Sequence, residues 1–448
     1  MRLSSSRSTA ILHRPQQDFL LWDKAGTRPS LDLQFADRKD LVDAISGQQL
    51  ITHTRASSGT YVGSDGLIKT ATTNLLLRNE EFDQSPWFAP VGITVTANAE
   101  IAPNGTLTAD RVEWDAANKG LSQSFTGLNG VSYALSVWVK GAAGETIRFG
   151  GNNIAATNYT LTGQWQRLEI TGISSSTSLN ITINTFGGVT ARDLYVWGAQ
   201  LEQSSTVGEY IPTTSTINSA PRFDHDPVTG ESLGLLVEES RTNLLPSSED
   251  VDYAGYQRVG ITTSLDVATV TAPDGTTTAD EIAPTAITSE HFIGYGLNVT
   301  SGTTYTFSAY VKPNGTDSVR IRFAFAGFNN ENGFHVFSTN TTTSGTCDFR
   351  ITPVANGWYR IQGTAVASST GNGIPRIYPN SINSWLGVPS EALYVWGAQL
   401  EESSFPTSYI PTEGSTVTRA DDVASIEGAN FSSWYRQDEG TEIGRAHV

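Results

Sequence analysis

The chain has 448 residues, with 42 glycines, one cysteine, one methionine and 16% charged side chains. Its formal net charge is −17, with the acids spread along the chain, and such a surface repels nucleic-acid phosphates and anionic lipid. The lone Cys347 excludes an intrachain disulfide framework and a multi-cysteine metal site. No apolar run approaches the roughly 20 residues of a membrane span, so membrane insertion is not expected. What remains is a Thr-, Ser-, Asn- and Gly-rich composition suited to short strands and tight turns.

In chain order, the first fifteen residues, MRLSSSRSTAILHRP, carry arginines but no continuous apolar stretch, so no leader peptide is expected. Asp18–Trp22 is a short apolar cluster, and Leu31–Phe35 alternates like a strand. Residues 36–49 are charged, with weak helical spacing and a stop at Gly47. Ile51–Arg55 alternates again, and Arg55–Ala71 reads as a hairpin turning at Ser64-Asp65-Gly66.

The next segment occurs twice. Leu194–Glu202 reads LYVWGAQLE, and Leu393–Glu401 repeats it letter for letter. Tyr-Ile-Pro-Thr follows each copy, at Tyr210–Thr213 and Tyr409–Thr412. Upstream, TNLL at Thr73–Leu76 matches Thr242–Leu245, APNGTLTAD at Ala102–Asp110 matches APDGTTTAD at Ala272–Asp280, and YALSVWVK at Tyr133–Lys140 matches YTFSAYVK at Tyr305–Lys312. The spacing between copies is 169 at Thr73/Thr242, 172 at Tyr133/Tyr305 and 199 at Leu194/Leu393. Two copies of one module are therefore predicted, over 72–217 and 242–416, and the second carries an insertion near Gly327–Thr346. Within the repeated nonapeptide a period of two puts Tyr195, Trp197, Ala199 and Leu201 on one face, with Leu194, Val196, Gly198, Gln200 and Glu202 on the other.

Short alternating runs between Gly, Asn, Asp and Pro turns, without a long 3.6-period stripe, predict an all-β chain of two tandem antiparallel β-sandwiches. The TNLL opening, the YxxSxxVK strand and the closing YVWGAQLE strand resemble the jelly-roll carbohydrate-binding modules found beside glycan-degrading enzymes and in phage particles. Between the modules, PRFDHDPVTGESLGLLVEESRTNLL (Pro221–Leu245) forms a connector over 218–241 and runs into the second module. Together with the Arg55–Ala71 stretch, it resembles the head-spike or tail-fibre segment of tailed bacteriophages. In those proteins the two pieces usually follow each other directly, so module one looks inserted or duplicated into that order. That resemblance implies virion attachment through residues 1–71, other virion proteins as partners, location on the phage particle and a homotrimer. Residues 417–442 resemble the entry into a further sandwich. Ile443–Val448, IGRAHV, resembles a translated sequencing adapter, so the natural chain is expected to continue beyond about Glu442.

No HExxH, GxSxG or Walker-type loop is present, and adjacent carboxylates such as Glu238-Glu239 point to opposite faces of a strand; no enzymatic activity is expected. Asp224-His225-Asp226 sits at a tight turn and reads as turn capping rather than metal binding. Aromatic rings are the better candidates, since sugar C–H faces stack on them. Trp165 and Trp358 correspond between the copies, as do Trp197 and Trp396, and all four read as core. The aromatics whose type changes or which lack a counterpart are the candidate sugar contacts: Trp87, Trp114, Trp138, Tyr256, Tyr310 and Trp385, with Asn329, Asn330 and Asn332 in the inserted loop. No cofactor is required by the sequence. The module resemblance implies a structural calcium, for which Glu80, Asp83 and Asp193 are the available oxygen donors in module one, and Glu249, Asp252 and Glu391 in module two. A solvated acidic surface is the competing reading of these residues.

Three functions follow from this sequence. The first is a non-enzymatic phage virion protein displaying sugar-binding sandwiches that hold host-surface glycan. The second is the carbohydrate-binding region of a secreted bacterial glycan hydrolase or adhesin. The third is a structural spacer that binds nothing.

Overall fold

The computed structural model describes residues 30–325, 327–329 and 331–437. Asp18–Trp22, Asn330 and the IGRAHV tail lie outside the described residues. The regular structure of the described chain is nearly all strand, in antiparallel sheets, and none of its helices is long and apolar enough to cross a membrane.

Module one is a sandwich of a five-stranded and a four-stranded sheet. The first runs Gln166–Ile173, Ser132–Gly141, Asp193–Glu202, Ala109–Trp114, Ile93–Glu100. The second runs Ala156–Thr160, Thr146–Gly150, Ser178–Asn184, Gly120–Thr126. Alternate residues of each sheet point inward, so Leu135, Val137, Val139 and Val196 join Phe149, Ile181 and Ile183 in one apolar core. Module two repeats this order with additions at the edges. Its six-stranded sheet runs Ile261–Ser264, Asp280–Pro284, Ala392–Glu401, Thr304–Asn314, Tyr359–Val366, Asp348–Pro353. Its seven-stranded sheet includes Phe292–Tyr295, Gly371–Tyr378, Ser318–Ala324 and Asn332–Val336. The insertion is more than a loop: Thr341–Thr343 extends one sheet and Asp348–Pro353 the other. It lies mostly C-terminal to the expected position, between Val336 and Tyr359, because Asn332–Val336 is already the equivalent of Ala156–Thr160.

Each module is closed by the same polar lock. The Asn74 side chain, fully buried, donates to the carbonyls of Ala199 and Ile211 and accepts from the amides of Leu76 and Leu201. Asn243 makes the same four bonds to Ala398, Ile410, Leu245 and Leu400. One side chain thus satisfies backbone groups of the opening segment, the closing strand and the Tyr-Ile-Pro segment, which would otherwise be buried unpaired.

The segments outside the modules form a third body. Leu31–Phe35 contributes only a bridge from Leu33 to Asp43 before a single helical turn, Phe35–Arg38. Thr60–Val62 and Ile68–Thr70 make the expected hairpin, and Arg222–His225 pairs with Ser232–Leu236. Val423–Ser425 pairs with Thr52–Thr54, and Val417–Arg419 with Arg241–Asn243. The strand-like pieces therefore find partners within their own chain. At the centre, Arg55, Arg222 and Arg419 are all about 1% exposed or less. Arg55 and Arg222 each donate to one oxygen of Asp422, and Arg222 also meets Glu238 at 2.9 Å. Burial alone would raise the Asp422 pKa, but the His53 hydrogen bond and the Arg222 and Arg55 charges outweigh it and hold this carboxyl below its ordinary value.

The ends of module one meet. Thr73–Asn74 pairs with Asn218–Ser219, and the Ala220 amide donates to the Thr72 carbonyl at 2.8 Å. Across this junction the hairpin and the connector are already joined, since Val62 donates to the Asp224 carboxylate at 2.7 Å and His225 bonds the Val62 carbonyl at 2.9 Å. Replacing residues 74–217 by a two-glycine turn is therefore expected to leave a chain that still unfolds in one cooperative transition. Loss of the near-ultraviolet dichroism of module two in that variant would contradict the separability of module one.

Candidate functional site

The repeated nonapeptide departs from strict alternation. Leu194 and Val196 face the core, and so do Ala199 and Leu201, because the register slips between Trp197 and Gln200. Gly198 makes the slip, with φ +62, and Gly397 repeats it at φ +61. A β-carbon on Gly198 would come within 3.0 Å of the Tyr210 ring and 3.4 Å of Trp138. The expected face of Tyr195, Trp197, Ala199 and Leu201 is thus split by the bulge: Tyr195 and Trp197 lie on the outer side of the five-stranded sheet.

That outer side carries the most ligand-like arrangement in module one. Arg167, Trp138 and Trp197 stand opposite one another across three strands, and Lys140, Tyr195 and Arg111 form the parallel row. Trp197 is buried, donates its indole N–H to Thr108 Oγ1 at 3.1 Å and packs its ring 4.4 Å from Tyr210. Trp165 donates to the Ile101 carbonyl at 2.9 Å. Arg167 donates to Ser136 Oγ and the Gly208 carbonyl, both at 3.0 Å, and Lys140 reaches Glu100 at 3.1 Å while lying 5.9 Å over the Tyr195 ring. Trp138, Trp165, Tyr195, Lys140 and Arg167 are half-buried. Flat rings interleaved with fixed donors and acceptors can stack on a sugar and bond its hydroxyls.

The same rows exist in module two, as Arg360, Tyr310, Trp396 and as Lys312, Tyr394, Glu281. There the hairpin covers Tyr310 and Trp396, while Arg360, Lys312, Tyr394 and Glu281 stay half-buried. Ile68 packs against Tyr310, Trp358 and Trp396, and its amide donates to the Pro273 carbonyl at 2.9 Å. A cleft of about 230 Å³ remains, lined by Ile68, Tyr310, Val354 and Arg360 among others. Trp358 is consequently 1% exposed, whereas its counterpart Trp165 is half-buried and not the core residue that the repeat predicted.

Of the aromatics proposed from the sequence, Trp138 alone lies on the open face. Trp87 and Tyr256 are core residues: each ties its polar tip back nine residues, to the carbonyls of Arg78 and Ser247. Trp114 is buried in module one, Tyr310 lies under the hairpin, and Trp385 packs on His291, Phe292 and Tyr378. None of these five presents the open ring face that stacking on a sugar needs. Asn329 is exposed and accepts from Ser368, and Asn332 opens a strand of module two that lies between Ser318–Ala324 and Thr341–Thr343. The acids suggested for calcium do not converge. Glu80 accepts from Tyr210, Asp83 from Gln84 and Asp193 from Arg111; Glu249 accepts from Tyr409 and Thr278, Asp252 from Thr263, and Glu391 stands just before the closing strand. Among the described residues, no three His, Cys, Asp or Glu side chains are placed to share a metal ion. Asp226 caps its own turn, accepting from Val228 and Thr229. Sequence reading passed over Tyr195, Lys140 and Arg167, although Tyr195 and Lys140 lie in the stretches that the two copies share and Arg167 is matched by Arg360.

No protein-family model matches the chain, and no curated protein matches it. Among solved structures it is similar to the tandem CBM22-1-CBM22-2 domain of Paenibacillus barcinonensis Xyn10C, at 14% identity over 74% of this chain and 98% of that one, with a TM-score of 0.28. It is similar to TmCBM61, solved with β-1,4-galactotriose, at 21% identity over 29% of this chain and 99% of that one, TM-score 0.24. It is also similar to the Stig cyclase Fisc of Fischerella sp. TAU, at 14% identity over 31% and 100%, TM-score 0.24.

Two predictions follow from this packing. Trp396→Ala removes a ring from the buried cluster of Tyr310, Trp358 and Tyr409 and is expected to cost about 3–5 kcal/mol, read from urea unfolding of the full chain. An unchanged midpoint would remove Trp396 from the stabilising core. The second concerns pH. Asp110 accepts amides of Phe82 and Asn98, Asp280 those of Val251 and Asp266, and burial, only partly offset by these bonds, pushes both carboxyls up to about 6. A carboxyl raised in the folded state favours folding as it protonates, whereas the depressed Asp422 loses its contribution once it does. Stability is expected to rise from about pH 7 to about pH 5 and to fall below about pH 4. Urea midpoints at those values test this, and a midpoint at pH 5 below that at pH 7 would contradict the sign.

Proposed function

We propose that this chain is a non-enzymatic glycan-binding protein displayed on a bacteriophage particle, with the outer face of module one as its sugar-binding surface. The observation that carries the reading is the half-buried Trp138 and Trp165 beside Arg167, Lys140 and Tyr195 on the outer face of module one, in a chain whose second module has the equivalent Tyr310 and Trp358 buried. Half-buried rings with fixed polar neighbours lose little freedom on meeting a flat ligand, which favours binding. The particle location rests on the phage-like hairpin and connector. Although module one separates them in sequence, they pack together as one piece, consistent with a contiguous ancestral segment.

A glycan array probed with the full chain tests the binding. Trp138→Ala is expected to weaken any captured glycan by more than about tenfold while thermal stability falls only modestly, because the ring is an exposed-side anchor. An array without signal, or a signal indifferent to Trp138→Ala, removes the sugar-binding face. Genes for capsid, portal or tail proteins are expected beside its gene, and a locus of glycan hydrolases would contradict the particle role.

A further inference from the structure

The outer face of the seven-stranded sheet of module two differs from its counterpart in module one in another way. Arg322 and Arg376 stand directly opposite each other on neighbouring strands, and Arg320 stands in the next row, opposite Tyr378. At the same register module one has Gly150 opposite Thr182 and Arg148 opposite Asn184. Like charges in directly opposed positions repel. One carboxylate bridges the pair: Glu290 accepts from Arg322 at 2.9 Å and from Arg376 at 3.3 Å. Arg320 lies 3.9 Å over the Tyr378 ring and donates to Asn383 Oδ1 at 2.6 Å and the Ser381 carbonyl at 3.3 Å. Among the described residues Glu290 bridges Arg322 and Arg376, and Arg320 has no acid in ion-pair distance. Arg320 and Arg376 are 4% and 5% exposed, and Nε and Nη2 of Arg320 and Nε of Arg376 are buried without an acceptor among the described residues.

A second observation lies beside them. Phe325 is 56% exposed, and its ring centroid is 4.8 Å from the Arg376 guanidinium. Its φ of +67 is in the left-handed region that bulky side chains rarely occupy. Strain of this kind persists where the surroundings enforce it, often at ligand clamps. An open ring held against two arginines bridged by one carboxylate is the layout for a flat ligand that ends in an anion. Arginine forks match carboxylates in two parallel bonds, and elsewhere the −17 net charge of the chain disfavours such a ligand.

We propose that this face binds a carboxylate-bearing saccharide, its ring stacked on Phe325 and its carboxylate placed between Arg322 and Arg376. Glu290, with a side chain 34% exposed, competes for that place. The site is separate from the face on module one, so each stands or falls alone.

The test is calorimetric titration of the full chain carrying Trp138→Ala, with galacturonate and mannuronate trimers and their neutral counterparts. A uronate trimer binds and its neutral counterpart does not, and added salt weakens the binding. Phe325→Ala and Arg376→Met each weaken it by about tenfold. Glu290→Gln strengthens it, a result that a purely structural role for Glu290 would not give. Should Arg376→Met fail to fold, Phe325→Ala and Glu290→Gln still decide. Equal binding of acidic and neutral trimers, binding of neither uronate, or affinities unmoved by Phe325→Ala and Glu290→Gln would overturn the proposal.

Discussion

The structure depends on one buried carboxylate. Asp422 takes guanidinium groups from Arg55 and Arg222, the His53 ring and the backbone amide of Glu238, so both of its oxygens are used. An ion buried this deeply is tolerated only when its partners are complete. Those partners come from the N-terminal segment and the connector, 367 residues from Asp422 in the case of Arg55. The three segments outside the modules can therefore settle only together. Once settled, they hold the Thr60–Thr70 hairpin, and that hairpin covers the Tyr310, Trp358 and Trp396 rings of module two.

The nonapeptide is duplicated without change because almost every letter has a task. Leu and Val fill the core, Trp bonds a threonine, Gly makes the bulge and passes close to a tyrosine ring, and Ala and Leu return to the core. Gln200 accepts from the Ile211 amide and donates to Glu202 and the Glu209 carbonyl, and Glu202 in turn accepts from Gly208. Gln399 and Glu401 repeat this network with Ile410, Ser408 and Thr407. In a buried polar network a partly satisfied member costs more than an apolar one, which leaves little room for drift.

Where the modules differ is on their outer faces, which add little to the shared core. The rings of one face are covered in module two and open in module one, and the opposite sheet carries a directly opposed arginine pair only in module two. A shared sandwich thus presents two chemistries, in keeping with the general separation of fold from site.

The repeat, the strand-rich fold class and the hairpin turn were legible in the sequence because local alternation and turn residues specify them without distant partners. The burial of Trp197 and Trp396 was legible too, from identity between the copies. The bulge at Gly198 had its sign in a glycine inside a strand, but a period-two reading ignores it. Whether Trp165 or Trp358 is covered, which of Trp138 and Tyr310 stays open, and why Trp87 and Trp114 face inward were decided only in three dimensions. Each outcome turns on a segment more than a hundred residues away, or on the opposite sheet, and a side chain carries no record of what will be laid over it. The same holds for the arginines: Arg322 and Arg376 are 54 positions apart in the sequence and face one another only because two strands pair.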